Sequence, residues 1–428
     1  MKKICTFLLA AIFLAAISSI WVSAAEPDFA LADSVYVFNT DSGVMLCEKN
    51  SDKLTPPTST VKLMTAIIAC EHFAGRYDAE LTVTKEVLDI TEGNNVGLVA
   101  DETVTADALL TALIAGGAND AANVFALEIG GTLEGFCDMM NEKAREIGAE
   151  NTVYKNASGI DAQGMVTTAR DVALITEYAY KIPGFKEYAS VTRYVMPATN
   201  KSRERVVHNR NYLLSYHIEP KYYDPDAIGM NSGYTKEGGF CTVTVAEKNG
   251  LTYIIAIMNA AKDENGDNSS FYLASELIDF ATGNFEYKTV LDPNTIVHEM
   301  PVTLAKNVDY VIVSPENKVE YFLPRATDIE SAISHEMHFE SDTLSAPIYE
   351  GQRVGHVDVI YNGEAIATVP LVSKNNVSAS TFLRLFDYLK SLLKSNQVRI
   401  AICVFVLLFV SYLLLSYAQF RRMRNRRR

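Results

Sequence analysis

From Ile400 to Phe420 the chain carries no charged residue, and Arg421, Arg422, Arg424, Arg426, Arg427 and Arg428 follow at once. At about 1.5 Å per helical residue this run reaches about 31 Å, enough to cross the hydrocarbon core of a bilayer. A lone segment in lipid satisfies its backbone only as a helix. A transmembrane helix is therefore expected over 399–420, with the basic tail 421–428 on the cytoplasmic side. At the other end Lys2 and Lys3 precede an apolar stretch, Ile4 to Ile17, and the small residues Val22-Ser23-Ala24. That order predicts a secretory signal peptide over residues 1–25. The two ends together predict a single-pass protein of the cell membrane with its body outside the cell.

Charge sharpens the picture. Lys plus Arg total 38 and Asp plus Glu total 52, for a formal charge of −14. Setting aside Lys2, Lys3, Arg399 and the six tail arginines leaves 29 basic against 52 acidic groups, or −23. A body that acidic repels phosphate backbones, which argues against nucleic acid as a partner. The 48% apolar and 21% charged fractions are those of globular chains. They exclude a disordered, collagen-like, coiled-coil or disulfide-framework protein.

Residues 26–285 mix strands and helices. Val35–Phe38 and Val44–Leu46 read as strands around Asp41-Ser42-Gly43. Helical patterns follow at Lys62–Phe73, Ala106–Ala115, Asp120–Ile129, Leu133–Ile147 and Ala169–Tyr180. Phe240–Ala246 and Leu251–Met258 flank Asn249-Gly250, a hairpin signal, and Phe271–Ala281 closes this part as a helix. The order predicts an α/β (α+β) domain, one sheet flanked by helices. Residues 286–375 alternate in short segments, with a second hairpin signal at Asn362-Gly363, and predict a small all-β domain. Over 378–397 the residues Phe382, Leu385, Phe386, Leu389, Leu392 and Leu393 recur at helical spacing opposite Arg384, Asp387, Lys390 and Lys394. This amphipathic helix has two destinations, the membrane surface or the folded body.

Cys47, Cys70, Cys137 and Cys241 show no framework spacing and read as small apolar residues; Cys5 falls in the signal and Cys403 in the span. His335 and His338 sit three apart in a strand-like segment without a third ligand close in sequence. They read as surface residues, and no metal site is expected.

The chemistry centres on Ser59 and Lys62. Pro56-Pro57 breaks the chain and Ser59-Thr60-Val61-Lys62 opens a helix, which puts both side chains on one face. A Ser hydroxyl needs a base within reach, and a Lys one turn on serves if burial or a neighbouring cation keeps it neutral. The bland alternative is a Ser helix cap and a solvated Lys.

The wider sequence resembles the D-alanyl-D-alanine carboxypeptidases, the low-molecular-mass penicillin-binding proteins. Pro57-Thr58-Ser59-Thr60-Val61-Lys62-Leu63-Met64-Thr65 is similar to their nucleophile segment, and Asn119-Asp120-Ala121-Ala122 to the end of their second motif. Asn151-Thr152, Asn156, Gly159, Thr168-Ala169-Arg170-Asp171 and Asn209-Arg210-Asn211-Tyr212-Leu213-Leu214 match further stretches, as do Ala346-Pro347-Ile348 and Val369-Pro370-Leu371-Val372 in the β-domain. The resemblance implies a penicillin-binding-protein/β-lactamase-like transpeptidase domain, followed by the all-β domain and the C-terminal span. It implies an acyl-enzyme on Ser59 and removal of the terminal D-alanine from peptidoglycan stem peptides. Lys62 would be the base and Asn119 would orient substrate. The backbone N–H groups of Ser59 and Tyr234 would hold the oxyanion. β-Lactams would acylate the same Ser. No cofactor is implied.

The sequence departs from the family in three places. Gly117-Ala118-Asn119 stands where the family has Ser-x-Asn, so a hydroxyl that passes a proton to the leaving amine is missing. Asn231-Ser232-Gly233 stands where it has Lys-Thr-Gly, so a cation is missing beside the substrate carboxylate. Between Asn249 and Phe280 no Arg is present to grip that carboxylate. Gly117, Asn231, Ser232, Gly233 and Tyr234 are the expected substrate contacts. The alternative function is a catalytically impaired relative, tethered to the membrane, that binds peptidoglycan or a partner protein. A β-lactamase shares the mechanism, but the β-domain and span argue against it.

Overall fold

The computed structural model describes residues 27–295 and 298–425. The expected signal peptide and the last three arginines lie outside the described residues.

The N-terminal unit is built on a five-stranded antiparallel sheet. Its strands are β1 (Ala32–Asn39), β2 (Met45–Lys49), β3 (Ala227–Thr235), β4 (Gly239–Lys248) and β5 (Leu251–Ala260), in the order β2-β1-β5-β4-β3. Chain ends meet in the middle, with Val35 opposite Ile257. Strands β4 and β5 form the hairpin that Asn249-Gly250 signals, with Asn249 and Gly250 both in the left-handed region.

Between β2 and β3 comes the helical block: α1 (Val61–His72), α2 (Ala106–Ile114), α3 (Asn119–Gly130), α4 (Leu133–Ile147) and α5 (Ala169–Lys181). Helix α6 (Ser269–Asn284) follows β5. Side chains fix several of the starts. Thr105, Thr132, Thr168 and Asn268 each accept a hydrogen bond from a backbone N–H in the first turn of α2, α4, α5 and α6. Gly131 and Gly148 end α3 and α4 in the left-handed conformation. Every residue of α1 from Val61 to Cys70 is buried, so this helix runs through the core. It is apolar nearly all round, as a core helix must be. Lys62 is its one basic residue in that stretch, which makes its position costly unless it serves a purpose. Short hairpins, Glu80–Thr82 with Thr103–Thr105 and Arg193–Met196 with Arg205–His208, were not evident from the alternation alone. Cys70, Cys137 and Cys241 are buried thiols.

The second unit is β-rich, as the alternation predicts. Its main sheet has six strands: β6 (His298–Thr303), β7 (Tyr310–Pro315), β8 (Ile333–Phe339), β9 (Leu344–Ser345), β10 (Arg353–Tyr361) and β11 (Glu364–Ser373), in the order β8-β10-β11-β7-β6-β9. Val311, Val313, Val357, Val359 and Leu371 form its apolar interior. Asn362-Gly363 turns β10 into β11. The reading of His338 as a residue without further ligands nearby needs correction. His356 lies directly opposite it on β10, with Asp358 two residues further on. Spacing along one strand cannot show a neighbour that register supplies. His335 is not part of this group; its Nε2 lies 3.2 Å from the carbonyl oxygen of Val290.

Helix α7 (Thr381–Lys394) starts on a Ser380 cap and is exposed along its whole length, so the amphipathic face has no cover within its unit. Helix α8 (Asn396–Asn425) follows after a break at Ser395. Its segment Asn396–Arg422 is long and apolar enough to cross a membrane, and is the one such helix among the described residues.

Candidate active site

The first turn ahead of α1 is a short 3-10 segment, Thr58–Thr60, with Thr58 in the left-handed region. It presents Ser59 at the head of the core helix. Lys62 Nζ donates to Ser59 Oγ at 3.2 Å and to the carbonyl oxygen of Ser158 at 2.5 Å. The bland alternative of a solvated Lys does not hold, because Lys62 is 1% exposed. Burial pushes its ammonium down to about 7, and the positive charge of Arg210 adds to the push. The amine one turn from Ser59 is thus poised to be neutral near neutral pH.

The backing of this pair comes from the loop before α5. Asn156 Oδ1 accepts from the N–H groups of Ser158 (3.2 Å) and Gly159 (2.7 Å), which aims the Ser158 carbonyl at Lys62. Gly159 has φ +85, and a Cβ there would overlap the Thr58 carbonyl. The loop can lie against the Thr58–Thr60 turn only as glycine. The Thr168–Asp171 stretch is structural. Thr168 caps α5, and Asp171 accepts from Thr152 Oγ1 at 2.7 Å and from the Asn151 N–H at 2.8 Å.

A cleft of about 310 Å³ opens over Ser59, lined by Asn94, Gly117, Arg210, Tyr212, Ser232, Gly233, Tyr234, Phe240, Asn268 and Phe271. Of the expected residues, Ser59, Gly117, Ser232, Gly233 and Tyr234 line it directly. Lys62 lies beneath Ser59. Asn119 and Asn231 are buried, at 4% and 3% exposure, and do not line the opening. Asn119 Nδ2 donates to the Glu92 carbonyl at 2.6 Å. The side-chain oxygens of Asn119 and Asn231 are both buried without a partner. Buried polar atoms of this kind call for a water or a ligand group.

Strand β3 closes the other wall. Side chains alternate along a strand, so Asn231 and Gly233 share one face and Ser232 and Tyr234 the other. Gly233 packs onto Ser59, where a Cβ would overlap the Ser59 side chain. Ser232 Oγ donates to the Arg210 carbonyl at 2.7 Å, which ties the loop after Arg205–His208 to the strand. Gly117 has φ +63, and the nearest atoms to a Cβ there are Asn94 Nδ2 at 3.5 Å and Arg210 Cγ at 3.6 Å.

Asn94 and Ser158 join the site without having been expected there, and Arg210 is the one of the candidate arginines Arg203, Arg205 and Arg210 that lines the cleft. Asn94 donates to the carbonyls of Gly116 and Gly117, both at 2.8 Å, and so shapes the second-motif turn. Ser158 holds Lys62 by its carbonyl alone, which no side-chain pattern can reveal. Arg210 lines the cleft, and its positive charge is felt at Lys62. The Asn209-Arg210-Asn211 stretch carried that signal, but nothing in the sequence places it beside Ser59. A larger hollow of about 600 Å³ adjoins, sharing Asn94, Arg210 and Tyr212 and adding Arg205, His208 and Ile218.

A buried Lys beside a Ser at the head of a core helix, facing a glycine on a sheet-edge strand, sits in an α/β domain of the penicillin-binding-protein kind. Residues 21–262 match the family model of the D-alanyl-D-alanine carboxypeptidases, and residues 285–379 match the penicillin-binding protein 5 C-terminal domain. The chain belongs to the D-alanyl-D-alanine carboxypeptidase family, among the low-molecular-mass penicillin-binding proteins. It is 26% identical to the D-alanyl-D-alanine carboxypeptidase DacF of Bacillus subtilis, over 82% of this chain and 87% of that one. It is 31% identical to the carboxypeptidase DacB2 of Mycobacterium tuberculosis, over 55% and 77%. The crystal structure of the carboxypeptidase DacD from Francisella tularensis shares the fold at a TM-score of 0.64 and 23% identity, over 86% of this chain and 98% of that one.

Proposed function

We propose that this protein is a serine D-alanyl-D-alanine carboxypeptidase that removes the terminal D-alanine from peptidoglycan stem peptides. One observation carries the reading: Lys62 Nζ is buried, shifted to about 7 and 3.2 Å from Ser59 Oγ. Neutral Lys62 takes the Ser59 proton as Oγ attacks the penultimate carbonyl. The N–H groups of Ser59 and Tyr234 receive the oxyanion. The C–N bond breaks, and the proton on Lys62 passes to the departing D-alanine. Gly117 offers no hydroxyl for that transfer, so a water in the space it leaves carries it. A second water then hydrolyses the acyl-enzyme. The terminal carboxylate pairs with Arg210, and the rest of the stem peptide extends toward the adjoining hollow. β-Lactams acylate Ser59 by the same attack. Helix α8 anchors the chain in the cell membrane with the body outside and the arginines inside, and α7 lies on the membrane surface.

The buried, uncharged Asn231 and the bare Gly117 favour a second reading, a relative that binds wall peptides with little turnover. Intact mass after incubation with a penicillin separates the two. Under the first, the full-length protein gains one adduct that Ser59→Ala lacks, and it releases D-alanine from a pentapeptide. Absence of any adduct at millimolar drug sinks the acyl-transfer reading.

A further inference from the structure

On the β-rich unit, His338, His356 and Asp358 offer ligand atoms that all lie within 4.8 Å of one another. His338 on β8 and His356 on β10 are direct cross-strand partners, and their rings stack with centroids 4.9 Å apart. Asp358, two residues along, points to the same face. Its Oδ2 is 3.3 Å from His338 Nε2. That separation is the edge of a tetrahedron around a zinc ion, whose bonds to His nitrogen and carboxylate oxygen are about 2.0–2.2 Å.

The surroundings support a built site. The other oxygen of Asp358 accepts from Thr368 Oγ1 at 2.5 Å, the kind of outer contact that orients a ligating carboxylate. Glu336 is the cross-strand partner of Asp358 and adds negative charge beside the cluster. Gly355 keeps the strands close here, since a Cβ on it would overlap the His338 carbonyl.

We propose that His338, His356 and Asp358 bind one divalent zinc ion, with a water in the fourth position. Two imidazoles and one carboxylate suit a borderline metal and are a poor set for calcium or magnesium. Strand β8 is the edge of its sheet, so the ion clips that edge to β10. The site lies within the β-rich unit and uses no residue of the Ser59 chemistry, so its presence does not depend on turnover.

The test is calorimetric titration of zinc chloride into the metal-stripped, full-length protein in detergent, prepared without a histidine tag. One ion per chain should bind with a dissociation constant at or below about 10 μM, and thermal unfolding should shift upward with added zinc. His356→Ala and, keeping side-chain size, Asp358→Asn should each weaken binding at least about tenfold. His335→Ala, which removes an imidazole from the opposite face, should leave binding unchanged. No uptake at 100 μM zinc, or equal affinity in both cluster variants, overturns the proposal.

Discussion

Gly233 lies against Ser59 with no room for a side chain between them: a Cβ on Gly233 would overlap both the Cβ and Oγ of Ser59. The strand that forms one wall of the cleft is therefore set by the volume of the Ser59 side chain. Gly233→Ala should displace Ser59 from Lys62 and slow penicillin acylation by at least about 100-fold, the scale of a lost transition-state contact. Its melting temperature should fall by only a few degrees, because Gly233 is partly exposed at the sheet edge. Acylation at the native rate would show that the wall is not held where these contacts put it.

Arg210 lines the cleft over the buried Lys62, and after burial its positive charge is the second reason the amine's pKa sits low. Only neutral Lys62 can accept the Ser59 proton, so acylation should rise with pH and reach half its plateau near 7. In Arg210→Ala one cation is gone, the charged form of Lys62 is less disfavoured, and its pKa moves up. The rising limb should then shift to higher pH. KM for a peptide ending in a free carboxylate should also rise about tenfold, the cost of losing a charge-assisted hydrogen bond. An unmoved limb together with an unchanged KM would remove Arg210 from the site.

The α/β part, the β-rich part after it and the C-terminal apolar helix were legible from local pattern. The Asn-Gly hairpins, the Thr-capped helices and the apolar run each depend on neighbours in sequence, and each appears within a few residues of its expected place. The Ser59–Lys62 pair was legible for the same reason, since one helical turn joins them. What was not legible comes from register and from loops. Arg210 reaches the cleft on a loop that Ser232 ties down from strand β3, 22 residues later. Ser158 acts through a carbonyl that any residue carries. His356 meets His338 only because β8 and β10 pair in one register out of several. Asn231 shows the limit in the other direction: its place in the motif was clear, but its burial without a partner for Oδ1 was not.

That burial bears on rescue. If Arg210 supplies the cation that a Lys at 231 would otherwise give, the two positions should be redundant. Asn231→Lys alone should change acylation less than about threefold. In the Arg210→Ala background it should recover about tenfold, and a double-mutant cycle on acylation rates measures the coupling. Purely additive effects would mean that the two cations do separate jobs.

In the proposed mechanism, Gly117 leaves the proton path to the leaving amine without a hydroxyl. A Cβ there has open van der Waals distances to Asn94 and Arg210, so a Ser side chain fits in space. Its φ of +63 is the difficulty, since a non-glycine residue in that region costs on the order of 1–2 kcal/mol. Gly117→Ser should accordingly lower stability by about that amount in denaturant unfolding. It should also raise kcat for D-alanine release several-fold if the new hydroxyl relays the proton between Lys62 and the leaving amine. The gain should be confined to peptide substrates: a β-lactam's amine stays tethered to the acyl-enzyme and demands less of the relay. If peptide turnover falls in step with stability, a water already occupies that position and carries the proton as well as a hydroxyl would.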